Sequence, residues 1–284
     1  MFKVSMFDHS LLLKTGATVG TLFGLVGTAI SFFDFSSKIR YHIFILFFIL
    51  CVLFYIFELI RVNKINKLVL KYDESTIEIK SGDIFSSEYI NDDTIRIFAF
   101  NEYFDTKVDN DIISKSSLNG QVINKEVSDI DELDNRILSD THLKKNEIES
   151  NEGRSAGKKK KYKLGTIFKY SDNTMFTAMT HFDDENRANL TIQEYIRFLI
   201  NFWDEVNTIY AGKTVVITLL GSGITRLDNN IYTSNQILEI ILWTFYLRRI
   251  KFKKPAQLII LMNDDTNKGI NYYKIRGMFN GLQK

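Results

Sequence analysis

Residues 215–230 read VVITLLGSGITRLDNN. A β-branched, apolar run enters Gly221-Ser222-Gly223, polar residues and Arg226 follow, and a new apolar periodicity then begins. The order is strand, tight glycine turn, helix start. Backbone N–H groups at such a junction can be presented to an anion beyond the strand end, so the turn is a candidate phosphate cradle. Glycine suits the place because a β-carbon would hold a ligand off the backbone.

Outward from this turn the chain alternates strands with helices from about residue 68. TIEIKSGDIF and TIRIFAF have strand composition, and KLGTIFKY pairs with NTMFTAMTHF across a turn at Ser171-Asp172-Asn173. TIQEYIRFLINFWDEV places Ile192, Tyr195, Ile196, Leu199, Trp203 and Val206 on one helical face. A strand at 214–220, a helix at about 231–248, a strand at 257–262 and a terminal helix in NYYKIRGMFNGL complete an α/β domain with a mixed sheet between helices. Between about 124 and 161 the pattern dissolves into Glu, Asp, Asn, Ser and Lys, which predicts a long, partly disordered insertion. Its lysine run at 158–161 reads as a solvated face, with contact to anionic lipid headgroups as the sharper alternative.

Residues 15–33 (TGATVGTLFGLVGTAISFF) carry no charge, and as a helix they reach about 28 Å, close to the hydrocarbon thickness of a bilayer. Residues 41–57 (YHIFILFFILCVLFYIF) are also uncharged and more apolar, and the turn DFSSKIR lies between the two. A two-span transmembrane hairpin over 1–66, followed by a ligand-binding domain over 67–284, is the economical division. The first run is too long for a typical signal-peptide core, and a second span follows at once. Arg61, Lys64, Lys67 and Lys71 follow the second span, which favours both termini in the cytoplasm and a multi-pass membrane location. Gly16, Gly20 and Gly24 repeat at four-residue spacing, the small-residue pattern that lets helices approach closely, so a homo-oligomer in contact with membrane lipid is expected.

The 284 residues carry a net charge of only +2, so no surface for nucleic acid is implied. Residues 1–70 hold seven Lys/Arg against three Asp/Glu, a local +4 that leaves −2 for the remainder. The single cysteine, Cys51, excludes an internal disulfide and a cysteine-based zinc site, and the four histidines show no metal-ligand spacing. Ala211-Gly212-Lys213-Thr214 imitates a nucleotide-binding P-loop, but Asn207 stands where its first glycine belongs. Leu220 rules out a serine-hydrolase elbow at Ser222, and Arg226 ends any dinucleotide fingerprint. No metal, no cofactor and no catalytic set is expected.

What remains is a set of strand exits. SGDIF ends the first strand of the domain, FAFNEYFD ends the next with Asn101, SSLNGQVI supplies a glycine turn, and LLGSGITR supplies the last. Ligands of α/β sheets bind beyond the C-terminal strand ends, so these exits are candidates for one cleft. In this order they resemble the macro domain, a module that binds ADP-ribose. The resemblance implies that Asp83 of Gly82-Asp83-Ile84 meets the adenine amine. It implies that Asn101 and residues 117–121, with Gly120, approach the distal ribose and phosphates, and that Gly221-Ser222-Gly223-Ile224 wraps the diphosphate. Arg226 would add a contact to phosphate or to a carboxylate on the ligand, or else pair with Asp228 at the surface. Tyr103 or Phe104 would line the ribose end. Hydrolytic macro domains carry Asn-Ala-Ala-Asn where this chain has Asn101-Glu102-Tyr103-Phe104, so the resemblance implies binding without cleavage.

A two-span hairpin joined to such a domain resembles the membrane-bound effector of Thoeris antiphage systems. That implies an ADP-ribose-derived signal, a histidine adduct made by a partner TIR protein, whose binding triggers oligomerisation and membrane disruption. The competing readings are a membrane-anchored ADP-ribosyl hydrolase and a non-enzymatic membrane scaffold.

Overall fold

The computed structural model describes residues 3–72, 74–183, 185–223 and 226–280, without the side chains of Arg226 and Asn280. The chain forms two compact units, one of residues 1–66 with 271–278, the other of 67–270 with the remaining C-terminal residues.

The first unit contains α1 (His9–Ser31) and α2 (Ser37–Asn63). The Asp8 side chain accepts from the Leu11 N–H and caps α1. Val4, Leu11, Leu59 and Val62 form a small core, with Tyr55, Ile65 and Tyr273 packed against it. Beyond that core both helices are long and apolar enough to cross a membrane, with 11% of the most apolar window of each buried within the chain. So little burial separates them from the core helices of a soluble domain. Their hydroxyls turn inward: Thr18, Thr21 and Thr28 each donate to the carbonyl four residues earlier, so no hydroxyl among these three presents an unpaired donor outward.

The second unit is built on β1 (Lys67–Tyr72), β2 (Ser75–Ser81), β3 (Thr94–Asn101), α3 (Leu118–Glu126), α4 (Ile130–Ser139), α5 (Thr141–Lys145), β4 (Glu147–Ser150), β5 (Lys160–Tyr162), β6 (Ile167–Lys169), β7 (Thr174–Phe182), β8 (Ala188–Leu190), α6 (Ile192–Ile209), β9 (Thr214–Thr218), β10 (Arg226–Leu227), α7 (Ser234–Arg248), β11 (Leu258–Met262) and α8 (Asp264–Gly269). A further helix, α9 (Tyr272–Asn280), follows. The main sheet has the order β1-β2-β11-β9-β3-β7-β8-β10, with β6 also on β7. Its five central strands, β2, β11, β9, β3 and β7, are parallel. Antiparallel β1 covers one edge, and β6 and β8 pair antiparallel with β7 at the other. The sheet is therefore mixed.

Register decides which residues meet. Ile77, Leu258, Val215 and Ile95 are cross-strand partners, as are Ile79, Ile260, Ile217 and Ile97, so these buried residues share one face. The alternate residues Ile259, Leu261, Val216, Phe98, Phe100 and Phe176 face the other way and pack with Val122, Ile123, Leu133, Ile137 and Leu143. On α6 the buried stripe is Tyr195, Phe198, Leu199, Phe202, Trp203 and Val206, and each fully buried Phe or Leu contributes roughly 1.5–3 kcal/mol. The expected face was misplaced in part: Ile196 is 37% exposed, while Phe198 and Phe202 are fully buried. Leu199 and Trp203 define the correct direction, and the stripe broadens around them because α6 contacts both the sheet and α7.

The stretch expected to be a partly disordered insertion is folded. It forms the end of α3, then α4, α5, β4 and β5, and Leu133, Ile137, Leu143 and Tyr162 join the core. The physical reason is that few apolar residues suffice when they fall at i and i+4 on a short helix with a capped start; Asp129 caps α4 through the Glu132 N–H. The lysine run is not a free solvated face either. Lys158 is mostly buried and reaches Asp134 at 2.7 Å, Lys159 pairs with Glu152, Lys160 with Glu147 and Lys161 with Glu149. Burial lowers the Lys158 pKa, while Asp134 opposes the shift.

Candidate ligand-binding site

All five parallel strands deliver their C-terminal ends to one side of the unit, and a cleft of about 790 Å³ lies across them. From β2 to β7 there are four strand steps, roughly 19 Å at ~4.8 Å each. Gly82, Asp83 and Ile84 stand at one end, Met262 ends β11 and Asn263 follows it, Thr218 ends β9 and Leu219 to Gly223 follow it, Asn101 ends β3, and Thr180 and Phe182 end β7 at the other.

Asp83 is exposed, and one of its carboxylate oxygens accepts from the Phe85 N–H at 2.9 Å. That bond fixes the turn and leaves the other oxygen to a ligand. Ile84 borders the cleft but is 2% exposed and belongs to the core cluster. Asn101 is buried; its side-chain carbonyl accepts from the N–H groups of Tyr103 and Asp105, and its amide donates to Asp105. Tyr103 and Phe104, expected at the ribose end, are both core residues, 1% and 0% exposed. Phe104 turns away because the backbone bends there at φ 51° and its ring packs on Phe100 and Tyr162.

The turn after β9 runs from buried Leu219 and Leu220 to exposed Ser222 and Gly223. The buried Tyr195 hydroxyl donates to the Leu220 carbonyl at 2.6 Å, and the Ser222 N–H and hydroxyl both return to the Leu219 carbonyl. These bonds lock a turn in which Gly221 sits at φ 87°, a conformation that favours glycine. Gly223 is exposed and lines the cleft, and no described atom lies within 4 Å of where its β-carbon would stand. Ile224 lies outside the described residues. Arg226 is in β10, beside Asn189, and its side chain is likewise outside the description.

Gly120 does not line the cleft. It is buried in the first turn of α3, where a β-carbon would come within 2.2 Å of the Ser114 carbonyl oxygen. Its neighbours Ser117, Leu118, Asn119 and Gln121 do line it. Ser117 caps α3 through the Gly120 N–H, and the N–H groups of Leu118 and Asn119 belong to the helix end that has no intrahelical acceptors. The loop 110–114 and residues 185–188 were not foreseen as lining. Their polar, turn-like composition is visible in the sequence, but nothing in it points across the sheet to this cleft.

The ionisable lining, among the described residues, is Asp83, Asp111, Glu185 and Arg187: three carboxylates against one guanidinium. Arg187 is itself paired with Asp183 and Glu185, each at 2.7 Å. Such a lining does not attract polyanions by side-chain charge. Among the described residues, the groups placed to hold an anion are the backbone N–H groups of the β9 turn and the α3 start.

A protein-family model described as "Thoeris protein ThsA, Macro domain" matches residues 77–263. The chain is 42% identical over 253 residues to "Thoeris protein ThsA" of Bacillus amyloliquefaciens (strain Y2), covering 88% of this chain and 84% of that relative. Solved structures similar to it include a mutant Oceanobacillus iheyensis macrodomain with ADPR, at 11% identity and TM-score 0.47 over 75% of this chain and 99% of that one. Another is the Oceanobacillus iheyensis macrodomain with ADP, at 10% identity and TM-score 0.47 over 76% and 97%. The extent of the family match and the identity to the Bacillus protein place the result beyond fold likeness: the chain belongs to the ThsA family of Thoeris proteins, and residues 77–263 are its macro domain.

Proposed function

We propose that this chain is a membrane-bound antiphage effector whose macro domain binds an ADP-ribose-derived signal. The observation that carries the reading is the cleft itself. It crosses five strand ends, with a free carboxylate oxygen of Asp83 at one end and the open turn at Gly221 to Gly223 at its middle. Asp83 accepts from the adenine amine. The diphosphate lies between the β9 turn and the start of α3 and is held by N–H groups, and the second ribose extends toward β7. The net acidic lining disfavours a free triphosphate, which carries more charge than those N–H groups neutralise. Family membership supports the defence role.

The signal is a histidine–ADP-ribose adduct made by a partner TIR protein. Its binding drives assembly of a homo-oligomer in the bacterial inner membrane, with both termini cytoplasmic, and the spans then disrupt that membrane. A ligand bound ~100-fold tighter to the assembled state supplies about 2.7 kcal/mol per protomer. The chain is not a hydrolase. Asn101 has committed its carbonyl to two backbone donors and its amide to Asp105, and Phe104 is buried in the core.

Calorimetry on the full chain in detergent tests the ligand class. ADP-ribose binds more tightly than ATP, and Asp83→Ala weakens it by at least ~1.4 kcal/mol, tenfold. Equal affinity for ATP, or an unaffected Asp83→Ala, contradicts the assignment.

A further inference from the structure

The loop between β4 and β5 lays one guanidinium against the far end of the cleft. The Arg154 side chain is 7% exposed. Its Nη1 and Nη2 donate to the two carboxylate oxygens of Asp105 at 3.1 and 2.8 Å, and Nη2 also donates to Asn186 Oδ1 at 2.8 Å. Nη1 donates in addition to the Lys158 carbonyl, and the guanidinium lies 3.9 Å from the centre of the Tyr103 ring. Asp105, 1% exposed, accepts from the Lys158 N–H at 2.7 Å and from the Asn101 amide at 2.9 Å. Gly157 permits this approach: at φ 85° it lies so close that a β-carbon would come within 2.6 Å of Asp105 Oδ1.

Two of the groups joined here line the cleft. Asn101 ends β3, and Asn186 sits at φ 55° in the turn between β7 and β8. Arg154 grips the first through Asp105 and the second directly. The pair with Asp105 satisfies the buried carboxylate. The further bond to Asn186 reaches a partly exposed turn and contributes nothing to the core, but it fixes the rim of the cleft relative to its floor. Asp83 lies at the opposite end, across the five strands.

We propose that Arg154 is a positioning residue for the far end of the cleft. By tying the Asn101 exit to the turn at Asn186 it sets the affinity for the part of the ligand beyond the diphosphate, a second ribose and whatever that ribose carries. This rests on the ADP-ribose reading of the site. Lysine cannot replace it, because one ammonium does not span a bidentate carboxylate and a third acceptor in the same plane.

The test is calorimetry on the full chain in detergent with two probes, ADP and ADP-ribose. Wild type binds ADP-ribose more tightly than ADP. Asn186→Ala and Arg154→Lys weaken ADP-ribose by about tenfold and leave ADP within about twofold. Asn186→Asp, which still accepts from Arg154, retains the ADP-ribose affinity. Asn186→Ala removes no buried charge, so it remains informative if Arg154→Lys does not fold. Equal losses on both probes, or no loss on either, overturn the positioning role. Wild type binding ADP as tightly as ADP-ribose overturns it as well, with the near end of the cleft intact. Wild type binding neither probe overturns the reading of the whole site and this inference with it.

Discussion

The Asn101 amide donates to Asp105 Oδ2 at 2.9 Å, and the Asn101 carbonyl accepts from the Asp105 N–H at 3.2 Å. A side chain so engaged holds a loop in shape. It has one N–H left to offer and no free acceptor with which to orient a water molecule.

The expected outcome for catalysis is that the full chain releases no ADP-ribose from an ADP-ribosylated protein in a single-turnover assay at excess enzyme. Asn101→Ala leaves that null result unchanged and instead lowers stability by about 1–3 kcal/mol, because two buried N–H groups and Asp105 lose partners. Cleavage by wild type that disappears in Asn101→Ala would establish a hydrolase.

Two glycines in one turn separate ligand contact from backbone strain. A β-carbon at Gly223 has no described atom within 4 Å, so the thermal midpoint of Gly223→Val stays near wild type while ADP-ribose affinity drops at least about tenfold. Gly221→Val forces a β-branched residue to φ 87° against Tyr195, so it loses stability first, by roughly 1–3 kcal/mol. Melting curves and titrations of both variants check the contrast. Unchanged affinity in Gly223→Val places the ligand elsewhere.

How far the sequence reached depends on the range of the signal. The β9 turn, the Asp83 exit and the paired strands β6 and β7 were legible because each is local: a β-branched run, then glycine or Asp in a turn. Gly120 was misread for the same reason. Its spacing in SSLNG suggests a ligand loop, but its close approach to the Ser114 carbonyl is a packing demand that only the folded loop reveals. The placements of Phe104 and Asn186 depend on how a loop folds back over the sheet, and no period in the sequence carries that. The polar stretch from 124 to 161 hid its order because its buried residues are few and its charges are paired across β4, β5 and α4 rather than along one helix.

That segment yields a stability prediction. Ile137 is fully buried, so Ile137→Ala costs about 2–5 kcal/mol in urea unfolding. A disordered insertion would show no change.

His181 yields a pH dependence. The hydrogen bond from its Nδ1 to Glu102, 2.7 Å long, raises its pKa above 6.5, with burial opposing and the charges of Glu102 and then Glu194 assisting. A folded pKa above the unfolded one gives stability that is complete below 6.5 and is lost as pH rises through the folded value. The gap in melting temperature between wild type and Glu102→Gln is therefore widest near about pH 6 and narrows as the imidazolium deprotonates. A gap that widens with rising pH reverses the assignment.

The central claim is that ligand binding in the cleft acts through the membrane spans. It is tested most directly by recording membrane potential with a voltage-sensitive dye in bacteria that make the full chain together with a TIR-domain enzyme producing the ADP-ribose-derived signal. Wild type depolarises the cells. Asp83→Ala, which weakens the signal, and Gly20→Ile, which blocks close approach along the open glycine face of α1, do not. Depolarisation that persists in both variants, or growth arrest by wild type with the potential intact, contradicts the account.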